Sequence, residues 1–353
     1  MKKKIKARYI IIAVCAVLVI AYAVVGVAVV IPIFHSNFTR VDGPDAGFSL
    51  YTDYREYEDT LPREEVSFMS GDNRLTGWIY NKESSKGVII IVHGFGSYAD
   101  KFLPETQYFV NDGFAVFTYD GTGVAASEGE SRVGLYQAVP DLRSALTFLK
   151  TYDGINTLPV SIFGHSQGGF ASCTVLNYDE AKDVAAVVSI AGPNEASDIV
   201  DAAGVDTIGF AYHIFKPFLL LVDKGNYGKN APYTAVEGIN NSAAKVLLVQ
   251  GLQDETVPHV RYAITDHIGE ITNRNVEVKT YNDDWNSSHN FILNSEDSFR
   301  YRTELTASYN EYVNDGEFTD ADMYDWAEEV GLDRNRLQAV NPELFRSICD
   351  FLD

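Results

Sequence analysis

Cysteine is scarce in this sequence: Cys15, Cys173 and Cys349 are the only three in 353 residues. That excludes a disulfide scaffold and leaves one Cys173–Cys349 bridge as the pairing open to the folded body. No Cys-x-x-Cys pair occurs, and none of the seven histidines stands in His-x-x-x-His spacing, so neither a metal site nor a cofactor is expected. Positive charge is also in short supply. Lys and Arg total 28 against 49 Asp and Glu, a formal net charge of −21. Lys2, Lys3, Lys4, Lys6 and Arg8 contribute +5 of this, so the remaining chain carries −26. A body that acidic repels phosphate backbones, which excludes nucleic acid as a partner. There is no internal repeat and no low-complexity tract.

What is present begins with an apolar run. From Tyr9 to Phe34 no residue is charged, long enough to cross a hydrocarbon core of about 30 Å at 1.5 Å per residue. The basic cluster (1–8) precedes the run, and Arg40 is the only base in the flank 35–46. This asymmetry predicts a single-pass signal anchor (9–34) with the N-terminus cytoplasmic and the body extracytoplasmic. A cleaved signal peptide is the rival, but its apolar core is usually shorter and ends at a small-x-small site, which Val29-Val30-Ile31-Pro32 does not provide. Residues 35–62 read as a juxtamembrane linker and 63–353 as the folded domain.

In the domain, Val66, Phe68, Leu75, Trp78 and Tyr80 flank Gly71-Asp72-Asn73, which predicts a hairpin. Continuous β-branched runs such as Val88–Val92 predict buried strands. Further strands are expected at Ala115–Tyr119, Val160–Phe163, Val184–Ile190, Ala244–Gly251 and Val276–Tyr281. Helical stretches are expected at about 98–110, 135–152, 259–268 and 342–352. This alternation implies an α/β fold with a mostly parallel sheet and helices on both faces. It breaks at about 194–242, an irregular segment rich in large apolar residues, including Phe210, Phe215, Phe218 and Leu219. An inserted lid is expected there, with ordinary core helices as the alternative. The acidic stretch 295–334 reads as a solvated helical face with Thr319 as an N-cap, and its Asp/Glu spacing does not match a calcium loop.

The chemistry centres on Gly164-His165-Ser166-Gln167-Gly168, set between a strand and a helix. A nucleophile at a sharp strand-to-helix turn needs small neighbours, and the following helix aims its first amides where negative charge develops. Ser166 is the candidate nucleophile. A serine hydroxyl needs a base, and the base needs an acid to hold its tautomer. His289, on a loop after the last strand, is the candidate base. Asp254, at the tip of the preceding strand, is the candidate acid, with Glu255 as its rival. Asp283 and Asp284 lie nearer His289 in sequence, which says nothing about geometry across the site. The backbone N–H groups of Phe95 and Gln167 are the candidate oxyanion donors. His93 and His165 flank glycine turns and are expected to hydrogen-bond backbone, while His213 and His259 remain candidates to line a pocket.

Together His93-Gly94-Phe95-Gly96, Asp120-Gly121-Thr122-Gly123, Gly164–Gly168, the Gly251…Asp254…Val257-Pro258 tip and His289 resemble the α/β-hydrolase family over about 65–352. The branch resembled is that of bacterial membrane-anchored serine aminopeptidase-like and lysophospholipase-like hydrolases. The resemblance implies a serine hydrolase acting on an acyl ester or thioester through an acyl-enzyme, with the lipid bilayer contacted through the N-terminal helix. A peptidase acting on short peptides and a non-catalytic binding protein that keeps the fold stand as alternatives. One departure is Thr122, where that branch usually carries arginine.

Overall fold

The computed structural model describes residues 2–43, 51–228, 233–313 and 320–353. Eight strands form one sheet in the order β1-β2-β4-β3-β5-β6-β7-β8. The hairpin strands β1 (Arg63–Ser70) and β2 (Asn73–Tyr80) are antiparallel, and β2 joins β4 (Ala115–Tyr119) antiparallel. From β4 onward, β3 (Val88–Val92), β5 (Val160–His165), β6 (Val184–Ile190), β7 (Lys245–Gly251) and β8 (Val276–Tyr281) run parallel. Every residue of β3 and β4 is buried, as continuous apolar strands covered on both faces must be.

The N-terminal run is helical, as α1 (Lys2–Val25), a π-helical turn at Gly26–Val30, and α2 (Ile31–Ser36). Between the strands come α3 (Leu103–Asn111), α4 (Ala138–Leu149) and α5 (Gln167–Thr174). Pro140 lies in the first turn of α4, where its missing N–H costs nothing, so it starts that helix rather than breaking it. Helices α4 and α5 cover one face of the sheet. On the other face α3 and the last helix, Pro342–Leu352, interlock Phe109, Phe163 and Phe345 with centroids 5.4–5.8 Å apart. Truncating such a ring costs about 3–5 kcal/mol. Cys173 on α5 and Cys349 on the last helix therefore pack on opposite faces, and both are free thiols.

Three expectations are corrected. The stretch 194–242 is not irregular. It forms a helical hairpin, α6 (Asp198–Ile208) and α7 (Tyr212–Tyr227), folded back at Gly209 (φ 59°), followed by α8 (Ala235–Asn240), which packs on α5 in the core. Residues 259–268 are not one helix. Arg261 adopts a left-handed φ of 83°, and its N–H is taken by Asp266 Oδ2 at 2.7 Å, so a side-chain acceptor replaces the helical ladder. The acidic stretch is more than a solvated face: Leu305, Trp326, Ala327 and Leu337 bury a small apolar cluster between Glu296–Tyr312 and Asp320–Glu329. Thr319 lies outside the described residues.

Candidate active site

The carboxyl end of β5 turns into α5 at Ser166, which sits at φ 58°, ψ −120°. An L-residue at positive φ is strained, and the turn is held from both sides. A Cβ on Gly164 would come within 2.2 Å of the Gly168 carbonyl oxygen, and one on Gly168 within 2.0 Å of the Val92 carbonyl oxygen. Both contacts are to backbone, so only glycine fits at either place. The Ser166 hydroxyl reaches His289 Nε2 at 2.9 Å. His289 Nδ1 donates to Asp254, 2.8 Å from Oδ2 and 3.0 Å from Oδ1. All three side chains are buried.

Asp254 is held at the tip of β7 by donors that fix its plane. Oδ1 accepts the amides of Thr256 (2.9 Å) and Val257 (2.7 Å), and Oδ2 accepts Gln250 Nε2 at 3.0 Å. Glu255 is exposed and, among the described residues, reaches the His289 amide at 3.4 Å. Asp283 accepts the amides of Asn286 and Ser287 through its backbone carbonyl, turning the loop that carries His289. The structure thus brings Ser166, His289 and Asp254 together in hydrogen-bonded sequence and leaves the three other carboxylates out.

A family model described as serine aminopeptidase, S33, matches residues 83–204. A polyketide transferase from Penicillium sp is 30% identical over 136 residues, covering 37% of this chain and 46% of that protein. A thiohydrolase from Eupenicillium brefeldianum is 30% identical over 120 residues, covering 33% and 38%. The chain therefore spans less than half the length of these curated relatives. The solved structure of a Pyrococcus furiosus esterase superposes with a TM-score of 0.54 at 16% identity, covering 78% of this chain and 98% of that one. At that identity the likeness concerns the fold. The chain has the α/β-hydrolase fold.

The family match includes Ser166, whereas Asp254 and His289 lie beyond it. Those two are therefore placed by the geometry of the site alone. The two glycine-flanked histidines serve backbone, as the sequence suggested. His165 Nε2 donates to the His289 carbonyl at 3.0 Å, and burial pushes its own pKa down to about 3, so it remains neutral. His93 Nδ1 donates to the Gly94 carbonyl at 2.9 Å, while its Nε2 accepts the Gly121 amide at 3.0 Å. Burial lowers the His93 pKa as well, which favours this neutral tautomer. The Gly94 carbonyl also accepts the Ser97 amide, so the Gly94–Phe95 peptide is pinned at its oxygen end. Its N–H, that of Phe95, points the opposite way by peptide planarity. Gln167 opens α5, so its N–H has no acceptor within the helix.

Thr122 does not leave its loop loose. Its amide and hydroxyl both donate to Asp141, at 2.8 and 2.9 Å, and Ser70 donates to the same carboxylate at 2.6 Å. Asp120 accepts the amides of Ala99 and Ala126, and burial raises its pKa to about 6. Asp141 was not singled out from sequence. A carboxylate in the first turn of a helix reads as a dipole partner, and its donor residues Thr122, Ser70 and Gln137 come from separate elements.

Ser166 and His289 open into a cleft of about 380 Å³, also lined by Phe95, Phe102, Ile199 and Leu293. His213 and His259 do not line it. Lys101 and Arg302 stand on its wall, together with Glu105, whose Oε2 has no hydrogen-bond partner among the described residues. Burial raises the Glu105 pKa to about 7. Tyr51 and Arg302 also border a neighbouring, more apolar pocket of about 290 Å³ lined by Leu305, Tyr309, Met323 and Trp326. No His/Cys/Asp/Glu group suited to a metal ion occurs among the described residues.

Proposed function

We propose that this α/β hydrolase is a serine hydrolase cleaving a carboxylic ester or thioester through an acyl-enzyme, with Ser166 as nucleophile, His289 as base and Asp254 as the group that orients it. The observation that carries the reading is the 2.9 Å contact between Ser166 Oγ and His289 Nε2 at the amino end of α5. In the first half-reaction Ser166 Oγ attacks the acyl carbon and its proton passes to His289 Nε2. The amides of Phe95 and Gln167 receive the oxyanion, each worth roughly 100- to 1,000-fold in rate. Collapse breaks the bond to the leaving group, which takes the proton from His289. Water then repeats the sequence and releases the acid. Asp254 stabilises the imidazolium and keeps its proton on Nδ1.

The cleft favours an ester over an amino-terminal peptide. An aminopeptidase has to hold an α-ammonium group, yet the wall carries two cations, Lys101 and Arg302, against one carboxyl, Glu105, that burial keeps largely protonated below about pH 7. The adjoining apolar pocket suits an acyl chain. The peptidase alternative rests on the name of the matching family model. We also propose that the helix from Arg8 to Ser36 anchors the enzyme in a membrane, with the basic end cytoplasmic and the catalytic domain outside. Its mean hydropathy of 3.1 and near-complete exposure support this. A fluorophosphonate probe and a panel of p-nitrophenyl acyl esters against aminoacyl anilides test the chemistry. Labelling that persists in Ser166→Ala, or turnover of anilides without turnover of esters, overturns it.

A further inference from the structure

We infer that the α6–α7 hairpin is a membrane-embedded element, its tip sunk in the outer leaflet beside the anchor; this rests on the anchor reading just proposed. The contacts provide a ruler. The Tyr22 hydroxyl donates to the Ile214 carbonyl at 2.6 Å, and its ring lies 4.9 Å from that of Phe218. Four residues further along, a Cβ on Gly26 would overlap the Phe218 ring at 2.1 Å, so this glycine is the notch that receives the ring. Higher still, Phe34 and Phe38 meet Leu219 and Val222. Helix α7 therefore rises alongside the anchor toward the catalytic domain, and the turn at Gly209–Ala211 is its far, lower end.

Suppose the hairpin lay wholly in water. The outer boundary of the hydrocarbon would then fall at or below Tyr22. The uncharged stretch beneath, from Tyr9, rises only about 20 Å, against a hydrocarbon core of about 30 Å. Arg8 and the lysines before it would be drawn about 10 Å into the apolar layer, where charged side chains are costly. Tilting the anchor shortens its projected rise and makes the deficit worse. With Tyr9 at the inner boundary instead, the outer boundary falls near Val29, and Ile214 to Phe218 lie about 5–10 Å beneath it, the usual depth of an interfacial helix.

The hairpin's surface fits that depth. Phe210 at its tip is 82% exposed, and Ile208, Ile214, Leu220 and Leu221 are exposed as well. Its inward charges are matched internally: Lys216 Nζ donates to Asp201, which also accepts the Tyr212 hydroxyl at 2.5 Å. Lys224, about 15 Å up α7 from Ile214, reaches headgroup level. Asp206, near the tip, is the one exposed carboxylate carried down, against the arginine and several lysines of the aqueous placement. The occupant of the apolar face is therefore the lipid acyl region.

The test is nitroxide power saturation on the full-length protein in phosphatidylcholine–phosphatidylglycerol vesicles. The exposed Cys15 is replaced by serine, the buried Cys173 and Cys349 are kept, and single labels are placed by Phe210→Cys, Ile208→Cys, Val17→Cys and Glu58→Cys. These sites are solvent-exposed on the protein, so the fold is undisturbed. The expected result is a nickel-chelate accessibility at Phe210 and Ile208 roughly fivefold below that at Glu58, with oxygen accessibility raised, as at Val17. Water-like behaviour at both hairpin sites with Val17 still in lipid overturns the inference and leaves the anchor standing. Water-like behaviour at Val17 overturns the anchor reading and the inference with it.

Discussion

Replacing Asp254 by asparagine separates the orienting role proposed for this residue from its part in the fold. The carboxylate accepts four donors: the Thr256 and Val257 amides, Gln250 Nε2 and His289 Nδ1. Asparagine has one acceptor oxygen and one NH2. Two backbone amides claim Oδ1, so the new NH2 must face Gln250 and His289. His289 can satisfy it only by turning Nδ1 into an acceptor, which moves the proton to Nε2 and leaves no base for Ser166. Loss of the correct tautomer lowers kcat by roughly 10⁴-fold, about 5.4 kcal/mol of barrier. The fold suffers little, because Gln250 Nε2 keeps the Gly251 and Val257 carbonyls at 3.2 and 3.3 Å. Stability should fall by no more than about 1 kcal/mol. Hydrolysis of p-nitrophenyl butyrate, with urea unfolding in parallel, measures both. A kcat within tenfold of wild type in a folded protein refutes the role assigned to Asp254.

Four further outcomes follow from the same geometry. His93→Ala releases the pinned Gly94–Phe95 peptide and should lower kcat about 30-fold with KM within about twofold, part of one oxyanion donor's worth; His93→Asn, which can still donate to the Gly94 carbonyl, should recover some of it. An unchanged kcat in His93→Ala would remove the Phe95 amide from the site. Gly168→Ala forces a Cβ onto the Val92 carbonyl at 2.0 Å and should cost more than about 4 kcal/mol, read as lost folded yield. Burial holds Glu105 protonated to about pH 7, above its unfolded pKa near 4.5, so the folded state binds the extra proton and stability falls as pH rises between those values. Glu105→Gln should therefore gain about 3 kcal/mol on wild type between pH 4 and pH 8, and equal urea midpoint shifts at both pH values would contradict the burial argument. Leu305→Trp should fill the side pocket and depress kcat/KM for octanoyl esters about tenfold while sparing acetyl esters, since lost chain burial is worth about 0.8 kcal/mol per CH2.

The parts legible in the sequence were those dictated by local chemistry. Continuous apolar runs such as Val88–Val92 admit only a doubly covered strand, and Gly164 and Gly168 mark a turn that tolerates no Cβ. Asp254 and Glu255 were harder to separate, since both occupy the tip of β7. The choice turns on the Thr256 and Val257 amides folding back onto Asp254, a turn whose closure depends on three-dimensional context. The helix expected over 259–268 fails for a similar reason: the apolar periodicity is present, but Asp266 captures the Arg261 amide and stops propagation. His93 was assigned to backbone without its consequence, because the peptide it pins matters only through the donor role proposed for the Phe95 amide. The partners of Asp141 come from a β-strand, a loop and the turn that precedes its helix, and no single spacing links them.

The relation between the N-terminal helix and the Phe95 loop belongs to the same illegible class, and it changes what the N-terminal segment does. Phe38, just past the apolar helix, meets the Phe95 ring edge-on at 5.4 Å. Arg132 lies over the other contact surface of that ring at 4.0 Å and donates to the Asn37 and Thr39 carbonyls at 2.7 and 2.8 Å. Phe95 is thus held by the chain that emerges from the N-terminal helix, and its amide is one of the two proposed oxyanion donors. A plain tether would leave the catalytic loop indifferent to what precedes residue 43. Here the Phe38 ring and the Asn37 and Thr39 carbonyls form one side of the loop's support, so deleting the N-terminal 43 residues removes that wall together with the proposed membrane anchor. The orientation of the Phe95 amide then rests on the His93 and Ser97 hydrogen bonds to the Gly94 carbonyl, and loss of the N-terminal segment should weaken catalysis even toward freely soluble esters.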